Sequence, residues 1–213
     1  MTSLPARSDL AGRVAALAPW YQQIAFPDGT IVGGWQTETL CDVLFEGREL
    51  AGLSAVDVGA MSGAASRWLE GRGASVTATD VHPRCLAQLR LVREAFGLNY
   101  AILDHDIEAS PPPEADVVLM AGVCYHLRHP LRGLDNAWAA TRRLLVVESE
   151  VGPGEGSVAL FCGGDYRGDS TVWWVPTRGC LLAWARSLPE AGEVTGIAMN
   201  RRERYAVVVR RYG

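Results

Sequence analysis

Acidic residues recur at the ends of short β-branched runs, and these are the positions in the chain best suited to chemistry. "SAVDV" ends close to Asp57 and Gly59, "SVTATD" ends in Asp80, "YAIL" leads to Asp104 and Asp106, and "ADVVLMAG" runs into "GVCYH". A carboxylate at the end of a second strand, about 20 residues past a glycine loop, is placed to accept hydrogen bonds from the hydroxyls of an adenosine ribose. Asp80 has that spacing from the loop "GAMSG".

That loop departs from the dinucleotide fingerprint G-x-G-x-x-G, because Met61 stands where the second glycine is expected. Dinucleotides need the loop backbone to approach a pyrophosphate closely. An adenosyl cofactor without phosphate, such as S-adenosylmethionine, tolerates a side chain there and is the better match. The plainer reading of Gly59 and Gly63 is a tight strand-to-helix turn. Asp80 in register favours the cofactor.

"GVCYH" supplies Tyr125 and His126. Imidazole is the side chain whose ordinary pKa suits a base near neutral pH, so His126 is a candidate to take a proton from an acceptor. The competing reading is that His126 only ties the strand to the next turn. His126 and His129 are three apart with no third ligand in view, so a metal site is not expected. The chain contains no lysine, which removes Schiff-base and P-loop chemistry. Trp20, Tyr21, Trp35 and the pair Trp173–Trp174 offer aromatic faces suited to a sulfonium or a substrate pocket, or else plain packing. One of the tryptophan pair is expected in the core.

These residues need elements to hold them. From residue 54 onward, β-branched runs alternate with amphipathic stretches. "GAASRWLEGRG" reads as a helix closed by Gly73. "PRCLAQLRLVREAFG" reads as a helix with Pro83 at its first position, Leu86, Leu89, Val92 and Phe96 on one face, and Gly97 as its stop. "LRGLDNAWAATR" is a further helix and "RLLVVES" a fifth strand. The alternation predicts an α/β, Rossmann-like fold with a mostly parallel sheet and helices on both faces. "EVTGIAMN" and "ERYAVVVRRY" are joined by a short charged turn and should pair antiparallel at one edge, giving seven strands. Arginines 201, 202, 204, 210 and 211 on this hairpin read as edge protection.

The expected organisation is a single domain over 1–213. Residues 1–50 form an N-terminal helical cap, with "SDLAGRVAALAPWYQQ" and "TETLCDVLFEGREL" as helices around a turn-rich "PDGTIVGG". A cofactor-binding core covers 51–149, a glycine-rich substrate-side insertion 150–175, and a C-terminal helix and hairpin 176–213. Five scattered cysteines read as reduced thiols. The net charge of −4 argues against broad nucleic-acid binding. No stretch is apolar enough to cross a membrane and no leader pattern is evident, so the expected compartment is cytoplasmic. Oligomeric state is not legible.

"VDVGAMSGAASRWLEGRGASVTATDVHP", "DIEASPPPEADVVLMAGVCYHLRHPLRGL", "LVVESE" and "TVWWVPTRGCLLAWARSLPEAGEV" resemble the class I S-adenosylmethionine-dependent methyltransferases. Among these the chain is similar to the subgroup that contains the bacterial tRNA wobble-uridine carboxymethyltransferase, without that enzyme's long N-terminal extension. The resemblance implies that Asp57, Gly59, Ser62 and Gly63 surround the methionine end of the cofactor. Asp80 would hold the ribose, Asp106 and Ile107 the adenine, and Gly122 the floor beneath the sulfonium. Tyr125 and His126 would face the transferred group. Tyr21, Trp35, Trp173 and Arg204 are substrate-side candidates. Glu148 matches a family glutamate and would orient His126 or an arginine, or satisfy loop amides. The implied activity is methyl transfer to a small-molecule acceptor, leaving S-adenosylhomocysteine. Two alternatives remain open. One is carboxymethyl transfer from carboxy-S-adenosylmethionine, with Tyr125 and Arg204 on its carboxylate. The other is a non-catalytic cofactor-binding protein of the same fold.

Overall fold

The computed structural model describes residues 10–199 and 203–212. They form two compact units, one built from 10–52 and 60–104, the other from 53–59, 105–199 and 203–212.

In the first unit, α1 (Leu10–Ala16) and the two-residue strands β1 (Ile24–Ala25) and β2 (Ile31–Val32) precede α2 (Thr37–Leu44). The turn-rich segment expected before α2 is therefore a small antiparallel hairpin, Ala25 facing Ile31, with the Asp28 carboxylate bonding the Thr30 amide at 2.9 Å. The first helix is shorter than its pattern, because Pro19 and the chain turn at Leu17 end it. Then come α3 (Ala64–Gly71), β4 (Ser75–Asp80), α4 (Pro83–Phe96) and β5 (Ala101–Asp104). α4 has both of its expected stops: Pro83 in the first turn and Gly97 left-handed at φ 64°. Its apolar face packs Leu91 and Val92 against Val14, Ile24 and Phe26.

The second unit holds β3 (Ser54–Val58), β6 (Ala115–Ala121), α5 (Pro130–Ala139), β7 (Thr141–Glu150), the hairpin β8 (Ala159–Phe161) and β9 (Trp174–Pro176), α6 (Arg178–Arg186), β10 (Ala191–Ala198) and β11 (Arg204–Arg211). The Thr177 hydroxyl caps α6 by accepting from the Cys180 amide at 3.1 Å. The strands are rich in β-branched residues on both faces, as buried strands of such sheets must be. Val118, Met120, Leu145, Val147, Val207 and Val209 meet Leu134, Trp138 and Leu181 of the helices in one apolar core. Each such aliphatic side chain contributes about 1.5–3 kcal/mol by leaving water.

Seven strands form the main sheet in the order β10-β11-β7-β6-β3-β4-β5. β3–β6, β6–β7 and β4–β5 are parallel, whereas β11 runs antiparallel to both β7 and β10. The strand order reverses at β3, and ligands of such folds bind beyond the carboxyl ends of the strands at that reversal. β11 is not an edge strand: β10 occupies the edge.

Candidate functional site

The candidate residues are divided between the two units. In the first, the loop after β3 turns through Met61 and Gly63 into α3. Met61 has φ 58° and Gly63 φ 90°, so both are left-handed. Met61 therefore keeps the backbone of a glycine while carrying a side chain. At Gly63 a Cβ would sit 2.8 Å from Leu89 Cδ2, which is too close. Asp80 is buried and fastens the loop: Oδ2 accepts from the Met61 amide at 2.9 Å and Oδ1 from the His82 amide at 2.8 Å. Each carboxylate oxygen has a second lone pair, so this anchored group can still accept from ribose hydroxyls.

Gln22 was not anticipated. Its Oε1 accepts from Ser62 Oγ at 2.7 Å and from the amides of Ser62 and Ala64 at 3.2 Å. Those amides open α3, where a dinucleotide fold would seat its pyrophosphate. A side-chain amide oxygen already occupies them, so the loop fits a cofactor without phosphate. Nothing in the local sequence marks Gln22 beyond a polar residue in an aromatic segment, because its contacts lie 40 and 42 positions away. Beside it, Tyr21 and Trp35 stack at 5.8 Å with Tyr21 about half exposed. Trp20 instead packs edge-on against Phe26 and donates to the Val14 carbonyl.

In the second unit, Asp57 is buried at the end of β3. Gly59 has φ 64°, and a Cβ there would come within 2.6 Å of Val123 Cγ2. Asp106 is exposed and its Oδ1 caps the Glu108 amide, while Ile107 is buried and its carbonyl accepts from Asn136 Nδ2 at 2.7 Å. Gly122 has φ 73° and donates its amide to the Glu148 carbonyl at 2.9 Å. A Cβ on Gly122 would lie 3.5 Å from Tyr125 Oη and 3.6 Å from Arg204 Nη2, so three of the candidates converge here.

Tyr125 and His126 occupy a 3-10 turn, Cys124–His126, directly after β6. Arg204 Nη1 donates to Tyr125 Oη at 3.1 Å. Its Nε and Nη2 grip Glu148, with Nη2 to Oε2 at 2.5 Å. The guanidinium is nearly buried and the Glu148 side chain fully so. Burial works against the arginine's charge, yet hydrogen bonding and attraction from Glu148 outweigh it and hold the proton more tightly. Arg204 is therefore an inward-facing residue, and the edge-protection reading fails for it. Arg210 does face outward, 3.7 Å from Glu193, whereas Arg211 donates to the Trp138 carbonyl. Residues 201 and 202 lie outside the described residues.

His126 is half-buried, and burial pushes its pKa below the ordinary imidazole value. Nδ1 lies 3.2 Å from the Thr171 carbonyl and 2.9 Å from Thr171 Oγ1. Thr171 belongs to the 150–175 insertion, which contains the β8–β9 hairpin rather than loop alone. Neither Trp173 nor Trp174 is in the core: both are partly exposed beside Phe161. The Arg128 guanidinium lies 4.0 Å over Trp173, and Trp174 Nε1 donates to the Arg128 carbonyl. The Trp173 amide donates to the Tyr125 carbonyl at 2.8 Å, which fastens this aromatic wall to the Tyr125–His126 turn.

Among the described residues no group of three or more His, Cys, Asp and Glu side chains could hold a metal. Nor is any helix among them long and apolar enough to cross a membrane. The cysteines are free thiols.

Residues 56–144 match a methyltransferase domain family. The tRNA U34 carboxymethyltransferase of Cellvibrio japonicus is 29% identical over 191 residues, covering 85% of this chain and 59% of the relative. That of Shewanella loihica is 32% identical over 139 residues, covering 62% of this chain and 42% of the relative. The chain thus spans roughly half the length of these curated relatives. Among solved structures, the N-terminal domain of EvdMO1 with S-adenosylhomocysteine bound superposes with a TM-score of 0.73 at 20% identity, covering 98% of both chains. The mitomycin 7-O-methyltransferase MmcR gives 0.65 at 16% identity, covering 84% of this chain and 55% of that one. The chain thus shares its fold with the N-terminal domain of EvdMO1, its residues 56–144 resemble a methyltransferase domain, and it is similar to the tRNA U34 carboxymethyltransferases.

Proposed function

We propose that the protein is a cytoplasmic methyltransferase that uses S-adenosylmethionine to methylate a small-molecule acceptor in bacterial secondary metabolism. The observation that carries this reading is the loop after β3. Asp80 is buried, fastened by two amides and open to further hydrogen bonds, while Gln22 fills the amides that a pyrophosphate would need. Such a loop selects an adenosyl group without phosphate. In this reading Asp57, Gly59, Ser62 and Gly63 hold the methionine end, Asp80 the ribose, Asp106 and Ile107 the adenine. Gly122 leaves room beneath the sulfonium.

When bound, the cofactor supplies an electrophilic methyl group, and the protein's work is mostly positioning. Tyr125 sets one wall, fixed by Arg204. His126, kept neutral near pH 7 by burial, takes the proton that the acceptor loses. In this reading Trp173 closes the acceptor side, and the stacked Tyr21 and Trp35 offer an aromatic face to the cofactor. The small-molecule acceptor is supported by the net charge of −4 and by fold neighbours such as the mitomycin 7-O-methyltransferase.

Calorimetric titration with S-adenosylmethionine and S-adenosylhomocysteine tests the cofactor assignment. Asp80→Ala should weaken both by tenfold or more, and Asp80→Asn, which keeps one acceptor oxygen, by less. Unchanged affinity in Asp80→Ala would remove the ribose role and with it the reading.

A second reading is favoured by one contact, Arg204 Nη1 to Tyr125 Oη beside Gly122, which could receive a carboxylate. It makes the protein a carboxymethyltransferase. Competition between S-adenosylmethionine and its carboxylated form separates the two: a preference for the carboxylated cofactor that disappears in Tyr125→Phe supports the second reading.

A further inference from the structure

The His126 ring ends a hydrogen-bonded chain that begins in the insertion. We propose that Asp169, acting through Thr171, is a positioning residue that holds His126 as the Nδ1–H tautomer and leaves Nε2 as the proton acceptor. The proposal rests on the reading of His126 as the base.

The donors and acceptors along the chain fix the direction. A carbonyl oxygen only accepts, so the ring nitrogen 3.2 Å from the Thr171 carbonyl must carry a proton. The Thr171 hydroxyl lies 2.6 Å from Asp169 Oδ1 and has one proton, which goes to the carboxylate. Its lone pairs then face Nδ1 at 2.9 Å, so Nδ1–H is shared between the hydroxyl and carbonyl oxygens of one residue. Asp169 Oδ1 also accepts from the Thr171 amide at 2.8 Å, which holds both oxygens of Thr171 in place. The neutral ring therefore has its lone pair on Nε2. When Nε2 takes a proton, the acceptor atom keeps the electron pair of the broken bond. Nδ1–H goes on donating to Thr171, and the Asp169 charge favours the imidazolium.

The charged groups acting on the ring are Asp169, which favours protonation, and Arg204, which opposes it and is itself paired with Glu148. Tyr125 packs against the ring at 4.1 Å without charge. Asp169 and Thr171 both lie in the insertion that supplies Trp173. A substrate-side segment and the base are thus one hydrogen-bonded assembly.

Long-range proton–nitrogen NMR of the full-length 15N-labelled protein reads the tautomer and titration midpoint of His126 without any turnover. The Nδ1–H form is expected for the wild type at neutral pH. Asp169→Asn should lower the midpoint by removing the carboxylate charge. Thr171→Val, which keeps the carbonyl but loses the hydroxyl link to Asp169, should lower the midpoint as Asp169→Asn does, and Thr171→Ser, which keeps the hydroxyl, should restore the wild-type value. In turnover the acid limb of the pH–rate profile should follow the midpoint in Asp169→Asn, with kcat falling about tenfold and KM for the cofactor little changed. An Nε2–H ring in the wild type, or a midpoint indifferent to Asp169→Asn, would overturn the proposal. Absence of methyl transfer with the expected NMR pattern would instead count against the functional reading alone.

Discussion

The amide of Met61 donates to Asp80 Oδ2 at 2.9 Å, joining two residues 19 positions apart and fixing a left-handed backbone at a residue that is not glycine. A side chain in that region costs about 1–2 kcal/mol relative to the right-handed form, and β-branching makes it worse. The hydrogen bond to Asp80 helps to offset this cost.

Met61→Val should therefore lower stability by about 1–2 kcal/mol, read as a shift of the urea midpoint. Met61→Gly should stay within about 1 kcal/mol of wild type, because relief of strain offsets glycine's extra entropy loss. A valine variant as stable as wild type would show that the loop relaxes, and that Met61 is not held by Asp80.

Gln22→Ala removes one acceptor from three donors at the start of α3. Unsatisfied buried donors cost about 1–3 kcal/mol, so thermal unfolding should move down accordingly. Gln22→Glu keeps an acceptor in place and places a negative charge at a helix N-terminus, so it should retain more stability than the alanine variant. Equal losses in both would mean that side-chain packing, rather than capping, is what Gln22 contributes.

Much of this fold is legible because its signals are local. β-branched runs buried on both faces mark β3, β4, β6, β7 and β11, and Pro83 with Gly97 brackets α4. Asp80 is legible because its role depends on spacing from a glycine loop. Gln22, by contrast, acts on residues 40 and 42 positions away, and its role exists only once the N-terminal segment lies on the loop. Arg204 shows the same limit. In register it opposes Glu150, but its side chain reaches the diagonal neighbour Glu148, two residues along the paired strand. Charge in a terminal hairpin suggests a solvated edge, and only the insertion of β11 beside β7 turns Arg204 inward. The tryptophan pair misleads for a related reason: a hairpin inside the insertion keeps both rings partly exposed.

Stability toward acid should depend on His126. Burial lowers its folded pKa, so below about pH 6.5 the unfolded chain binds a proton that the folded chain resists. That contribution is present above pH 6.5 and is lost as pH falls toward the lowered folded value. Asp169 acts in the same direction at lower pH. Burial raises its pKa, but its bonds from Thr171 prevail and hold it below the usual carboxylate value, so its contribution is lost only as pH falls below about 4. Glu150 works the other way, because burial raises its pKa. The informative quantity is therefore the difference between wild type and His126→Gln, measured by urea unfolding from pH 7 to pH 5. The variant should lose less stability across that interval, and parallel curves would contradict the burial argument.

The Glu148–Arg204 pair should be costly to halve and cheap to replace whole. Both groups are out of water, and removing one leaves an uncompensated buried charge worth about 3–5 kcal/mol of lost stability. Glu148→Leu alone and Arg204→Met alone should each show a loss of that order by urea denaturation. The double variant should recover most of it, since apolar side chains of similar volume avoid the desolvation cost of both ions. The cycle also separates stability from function. If Arg204 only holds Tyr125 in place, the double variant should fold while binding its cofactor less tightly. Single variants that lose less than about 1 kcal/mol would place these charges in contact with water, against the burial described here.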